Sequence, residues 1–329
     1  MTASSDPRAP GDGTGRVPDF FIVGHAKSGT TALYEMLRRH PQIYMPEAKE
    51  PWFFSTDMRP RFQPRRAGAL PETLEQYLAL FAGARSDQRV GEASSSYLWS
   101  QTAAREIAAV QPQARIIAIL REPASFLRSL HLQLLQTHVE TAGDLRTAMG
   151  LESVRAQGRK IPRRSHRPQL LQYASHVRYV EQLRRYRELF ADEQVSILIY
   201  DDFRKDNEET VRAVFRFLDV DETFPTQAIK ANPTVRMRSQ RLDDLIHGVS
   251  VGAGPLSRAA KATLSTLTPQ RLRREALGFA QRRVVHGAPK PVDEEFEAEL
   301  RVRFKGEVEE LSAYLDRDLV KLWGYDRVG

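Results

Sequence analysis

The chain of 329 residues contains no cysteine, which excludes disulfides, thiolate metal sites and thiol nucleophiles. It also lacks any apolar run approaching the roughly 20 residues that cross a bilayer. Its opening stretch, MTASSDPRAPGDGTGR, has no apolar segment of the secretory kind, and residues 1–17 read as a disordered tail. The expectation is a soluble, cytoplasmic protein with no transmembrane segment. Acids are in the minority: 42 Asp and Glu face 49 Lys and Arg, a formal net charge of +7. That balance favours anionic ligands, although an Arg-rich composition alone also accounts for it. What remains is ordinary globular material, 41% hydrophobic and 28% charged, enough for one large α/β domain over 18–329.

Within that domain, FFIVG is a short apolar run ending at Gly24, the pattern of a buried strand. TTALYEMLRRH then places Ala32, Leu33, Met36 and Leu37 at helical spacing before Pro41. Two further runs, ARIIAIL and QVSILIY, have strand length, and helical patterns (SQTAAREIAAVQ and YASHVRYVEQLRRYRELF) precede them. Alternating helix and buried strand predicts a three-layer α/β/α fold around a central parallel sheet. Ligands in such folds sit at the carboxyl ends of the strands.

Two basic segments interrupt the plan. Residues 155–168 carry six Lys or Arg, two prolines and no acid, and read as a mobile loop. Residues 256–290 carry eight Lys or Arg against one acid, either a solvated face or a stretch lying on a membrane surface. Near the end, Phe296, Leu300, Phe304, Val308, Leu311, Leu315 and Leu319 recur three or four apart. That spacing predicts an amphipathic helix or helix pair packed on the domain.

The stretch from Gly24 to Thr31, GHAKSGTT, resembles the nucleotide-triphosphate loop G-x-x-x-x-G-K-[ST], except that Thr30 stands in the lysine position. Lys27 lies three residues nearer the strand. Backbone N–H groups of a glycine loop and a helix N-terminus bind anionic oxygens whatever the side chains are. An early ammonium brings positive charge to the inner end of a short, diphosphate-like group, and Ser28, Thr30 and Thr31 add hydroxyl donors. Further on, IIAILREPASFLRSL delivers Arg121 at a strand end, opens a helix at Pro123 and reaches Ser129. An arginine fork with a nearby hydroxyl suits a phosphate dianion; an arginine at a sheet edge and a serine on a helix face is the plainer alternative. Glu92, in RVGEASSSYLWS, is a carboxylate among small hydroxyl residues, equally a surface acid by composition. Lys49, in EAKEPWFFS, is a flexible cation or a solvated loop charge.

Together these residues are similar to those of sulfotransferases that use 3′-phosphoadenosine 5′-phosphosulfate (PAPS), over Asp19 to about Asp202 and again at the C-terminal RDLVKLWGYD. The KSGTTAL run followed by KEPWFF looks closest to a bacterial branch related to the heparan sulfate and Golgi-type sulfotransferases. The resemblance implies that Lys27, Ser28, Gly29, Thr30, Thr31 and Ala32 hold the phosphosulfate, with Lys27 on the bridging oxygen. It implies that Arg121 and Ser129, eight apart as in that family, bind the 3′-phosphate, and that Glu92 is the general base. Lys49, with Glu50, forms a third element, a flexible cation that would stabilise charge on the transferring group or grip an anionic acceptor. Adenosine 3′,5′-bisphosphate (PAP) is the implied product, and a sulfuryl group carries too little charge to demand a metal. The acceptor would be a carbohydrate, lipid or small natural product bearing a hydroxyl, or less favourably an amine. His25 is not assigned as base, and Trp52, Phe53 and Phe54 are expected to pack their loop. NPTVRMRSQRL (232–242) stands about where a basic loop covers adenosine in that family.

Two rival readings remain. SILIYDD, ending in Asp201 and Asp202, imitates the magnesium-binding strand end of a kinase or ATPase, against which stands the missing lysine at position 30. A nucleic-acid-binding protein would use the basic segments, but these lack interleaved aromatics.

Overall fold

Burial along the two central strands sets the layers. The computed structural model describes residues 16–58, 70–163, 165, 167–226, 236–237, 286–287 and 293–328. In chain order these residues form β1 (Phe20–Gly24), α1 (Thr30–Leu37), β2 (Ile43–Tyr44), α2 (Leu74–Leu78), β3 (Arg89–Ala93) and α3 (Ala103–Val110). There follow β4 (Arg115–Leu120), α4 (Pro123–Gln136), α5 (Leu145–Gly150), α6 (Glu152–Ala156), α7 (Tyr179–Arg187) and β5 (Val195–Ile199). The chain continues through α8 (Tyr200–Lys205), α9 (Asn207–Phe217), β6 (Arg236–Met237), β7 (His286–Gly287), α10 (Glu294–Tyr314) and α11 (Leu319–Leu322). The five-stranded sheet runs β2-β3-β1-β4-β5 with every pairing parallel.

Successive residues of a strand face opposite sides, and here both sides are covered. Phe21, Val23, Ile116, Ala118 and Leu120 join a core with side chains of α3, α4, α7 and α10. Phe20, Ile22, Ile117 and Ile119 pack on the other face against α1, α8 and α9. This is the expected three-layer α/β/α arrangement. The C-terminal helices complete one layer: Leu300, Phe304, Val308 and Leu311 of α10 are buried, as is Leu319 of α11. Gly91 is required by packing, since a Cβ there would stand 2.1 Å from Cζ of Phe20 and 2.4 Å from the sulfur of Met45.

Several expectations need correction. Residues 155–168 do not begin as a mobile loop: Arg155 lies in the last turn of α6, is buried, and forms a two-pronged pair with Glu140 at 2.6 and 2.7 Å. The helical pattern from Tyr173 breaks into a 3-10 turn (Tyr173–Val177) before α7. Arg16, assigned to the tail, donates to the carbonyl oxygens of Arg85, Ser86 and Gln88 at 3.2 Å. Residues 1–15, and the 232–242 and 256–290 segments apart from the β6–β7 pair, lie outside the described residues. Among the described residues no helix is long and apolar enough to cross a membrane.

Candidate active site

The glycine loop leaves β1 at the carboxyl edge of the sheet and enters α1. The backbone N–H of His25 donates to the carbonyl oxygen of Ile119 at 2.7 Å, tying the loop to β4. Lys27 has φ 61° and Gly29 φ 91°. The first is a left-handed conformation that costs a side-chain-bearing residue about 1–3 kcal/mol and is retained where surrounding structure enforces it. At Gly29 the Phe203 ring also stands 3.0 Å from where a Cβ would lie. Ser28 and Thr30 are buried, Thr31 is exposed, and Ala32 packs into the second core. The first turn of α1 contains no acid.

His25 is buried in the loop and anchored to α7. Its Nε2 lies 2.7 Å from Oε1 of Gln182. The Gln182 amide nitrogen donates to the carbonyl oxygens of Ser175 and His176, so its oxygen is the acceptor and His25 carries its proton on Nε2. Burial holds the imidazole down at about 4, which keeps the ring neutral at ordinary pH.

Arg121 follows the last residue of β4 and reaches back to the loop, donating from Nη1 to the Lys27 carbonyl oxygen at 2.9 Å. Its guanidinium carbon stands 4.9 Å from the centre of the Tyr200 ring. Burial, then the Arg121 charge, pulls the Lys27 ammonium below its usual range; burial does the same to Arg121. Among the described residues neither cation forms an ion pair with a carboxylate. Two adjacent, partly desolvated cations without a counter-ion make a site for an anion.

Beyond Arg121, Glu122 caps α4, accepting from the backbone N–H groups of Ala124 at 3.1 Å and Ser125 at 2.6 Å. The Tyr325 hydroxyl donates to Glu122 at 2.7 Å. Ser129 follows on α4; it is 3% exposed, and among the described residues its hydroxyl oxygen has no hydrogen-bond partner. Phe126, Leu130 and Leu134 fill the core as their spacing predicts. Asp201 and Asp202 lie in the first turn of α8 and serve the C-terminal segment: Trp323 donates its indole N–H to Asp201 at 2.9 Å, and Arg317 grips Asp202 at 2.6 and 2.8 Å.

Glu92 lies within β3, opposite Phe21 of β1, and is 0% exposed. One carboxylate oxygen accepts from the Tyr77 hydroxyl at 3.0 Å, and among the described residues the other has no hydrogen-bond partner. Burial raises its pKa from 4.5 to about 7; the hydroxyls of Ser94, Tyr97 and Tyr77 oppose the rise, and the Glu50 charge adds to it. That is the poise of a general base at neutral pH.

Lys49 reaches this region through its neighbour, its ammonium lying 2.7 Å from Glu50. Glu50 is fixed to the sheet by its own N–H, which donates to the carbonyl oxygen of Ala93 at 3.0 Å. Its carboxylate also accepts from the Trp52 indole at 2.7 Å, the Ser95 N–H at 3.0 Å and the Ser95 hydroxyl at 2.8 Å. Glu50 and Trp52 both adopt left-handed backbone, φ 62° and 53°. Phe54 is buried as expected, whereas Trp52 is half-buried and carries the Arg167 guanidinium on its face.

The structure thus joins Lys27 to Arg121 directly, and groups Lys49, Glu50 and Ser95 beside the strand that bears Glu92. Sequence reasoning missed Tyr77, Gln182 and Arg167; it paired Glu50 with Lys49 but not with Trp52 and Ser95. Only Glu50 had a local signal, its place beside Lys49.

The protein is a three-layer α/β/α fold with a glycine loop at the carboxyl edge of its parallel sheet, where Lys27 and Arg121 meet, and a buried carboxylate on the neighbouring strand β3. Residues 18–225 match the sequence profile of the sulfotransferase family, and the chain belongs to that family. It is 32% identical over 154 residues to human carbohydrate sulfotransferase 15, covering 35% of this chain and 27% of that protein. Over 135 residues it is 33% identical to mouse heparan sulfate glucosamine 3-O-sulfotransferase 6, covering 41% and 36%. The chain therefore spans only about a quarter to a third of those relatives. A solved sulfotransferase from Alicyclobacillus acidocaldarius superposes with a TM-score of 0.63 at 26% identity, covering 94% of this chain and 99% of that one.

Proposed function

We propose that this protein transfers a sulfuryl group from PAPS to an acceptor hydroxyl and releases PAP. The reading rests above all on Lys27 and Arg121, two partly desolvated cations held together by the 2.9 Å hydrogen bond from the Arg121 guanidinium to the Lys27 backbone carbonyl oxygen, neither of which forms an ion pair with a carboxylate among the described residues. Lys27, Ser28, Gly29, Thr30, Thr31 and Ala32 would hold the phosphosulfate; Arg121 and the unpartnered hydroxyl of Ser129 would take the 3′-phosphate.

In the transfer, Glu92 accepts the acceptor's proton while the acceptor oxygen forms its bond to sulfur. The bond from sulfur to the bridging oxygen breaks, and the electron pair leaves on the phosphate. Lys27 stabilises that developing charge, the kind of electrostatic support that counts most in a dry site. Lys49, steered by Glu50, assists at the transferred group. The acceptor is a hydroxyl of a carbohydrate, lipid or small natural product, in keeping with the carbohydrate-directed names among the relatives, and 18–329 act as one domain of a bacterial branch.

Incubation with radiolabelled PAPS and a host extract tests the reading. Label should pass to an extract component with the wild-type protein and fall by orders of magnitude with Lys27→Ala. Wild-type rates in that variant would remove Lys27 from the mechanism.

A further inference from the structure

Arg167 is a cation for which the proposed reaction has no task. Its guanidinium carbon stands 3.7 Å from the centre of the Trp52 ring, close enough for a strong cation–π contact. The residue is half-buried, and burial lowers its guanidinium to about 10, with the Glu50 charge opposing. A desolvated guanidinium ordinarily rests against a carboxylate. Glu50 is the acid whose charge it feels, yet that carboxylate is already filled. One oxygen accepts from Lys49 and the Ser95 hydroxyl, the other from the Trp52 indole and the Ser95 N–H. Four donors exhaust the lone pairs of a carboxylate. Among the described residues Arg167 forms no ion pair, so its planar fork of N–H donors is held at one face by Trp52 and offered elsewhere.

Its position relates it to the strand that bears Glu92, the proposed base. Trp52 bonds Glu50, Glu50 bonds Ala93 beside Glu92, and the Glu50 charge acts on both Arg167 and Glu92. The donor's anionic groups have their own cations in Lys27 and Arg121. We propose that Arg167, seated on Trp52, recognises an anionic group on the acceptor, a carboxylate or sulfate ester carried by the molecule whose hydroxyl is sulfated. A guanidinium fork meets such a group with two parallel hydrogen bonds. The inference rests on the sulfuryl-transfer reading and adds the acceptor's charge to it.

The test uses 4-nitrophenyl β-D-glucuronide and 4-nitrophenyl β-D-glucoside, which differ at one carboxylate, with labelled PAPS and the full chain. The wild-type protein should favour the glucuronide by about tenfold or more in kcat/KM, the gain of roughly one charge-assisted contact. Arg167→Met, which keeps apolar length on Trp52, should abolish that preference chiefly through KM, and Arg167→Lys should restore part of it. Equal use of the two sugars by the wild type, use of neither, or a preference that survives Arg167→Met would overturn the inference. So would an equal fall in kcat for both sugars, which would assign Arg167 to the transferred group. Calorimetric binding of PAP separates the two levels: a wild-type protein that does not bind PAP sinks sulfuryl transfer itself. One that binds PAP yet shows no glucuronide preference sinks only the role of Arg167.

Discussion

Replacing Glu92 with glutamine should make the protein more stable and inactive at once. The carboxyl is fully buried and its pKa rises from 4.5 to about 7, with burial as the main cause. A group raised in this way adds stability that is fully present below 4.5 and is lost as pH rises through 7, because ionising it then costs more in the fold than in the unfolded chain. The change of about 2.5 pH units corresponds to roughly 3 kcal/mol above neutrality. Glutamine imitates the protonated acid and can still accept from Tyr77, so it escapes that cost. Urea denaturation should therefore find Glu92→Gln close to the wild type near pH 4.5 and more stable by up to about 3 kcal/mol near pH 8. Transfer should be lost at every pH, while wild-type kcat/KM should climb between about pH 6 and 8 as the carboxylate ionises. An advantage that is equal at both pH values, or absent near pH 8, would refute the burial argument; an unchanged transfer rate would refute the assignment of the base.

Other perturbations probe the supports of the site. Arg121→Ala should weaken PAP far more than 5′-AMP in calorimetry, and equal losses would argue against a 3′-phosphate site. Glu140→Ala strands the buried Arg155 guanidinium, so urea denaturation should show a loss of about 3–5 kcal/mol; a loss below about 1 kcal/mol would mean that Arg155 finds another partner. Tyr325→Phe removes the hydroxyl that donates to Glu122 and should cost about 1–2 kcal/mol, with PAP binding weakened severalfold through the α4 cap; unaltered PAP affinity would confine Tyr325 to stability.

The strands β1, β4 and β5 were legible because each is a run of apolar residues, as burial on both faces requires. β2 and β3 were not: β2 is two residues long, and β3 contains Gly91 and Glu92, which local pattern rules count against a strand. Glu92 stood out by its resemblance to a known position, but its raised pKa comes from complete burial inside the fold, with the charge of Glu50 from a distant segment adding to it. Arg155 looked like the start of a solvated basic run because its partner, Glu140, is 15 residues away across a turn. Asp201 and Asp202 looked like metal ligands for a similar reason, since Arg317 and Trp323 come from the other end of the chain. Lys27 and Arg121, by contrast, could be placed at neighbouring strand ends from the pattern alone, and the parallel sheet does bring them into contact.

The central claim is that the glycine loop and Arg121 serve a 3′-phosphorylated sulfonucleotide rather than ATP. Isothermal titration of the full chain with PAP, and separately with ATP and magnesium, tests it most directly. The account predicts PAP binding that persists with EDTA present and is far tighter than that of ATP; tight, magnesium-dependent ATP binding with no heat from PAP would contradict it.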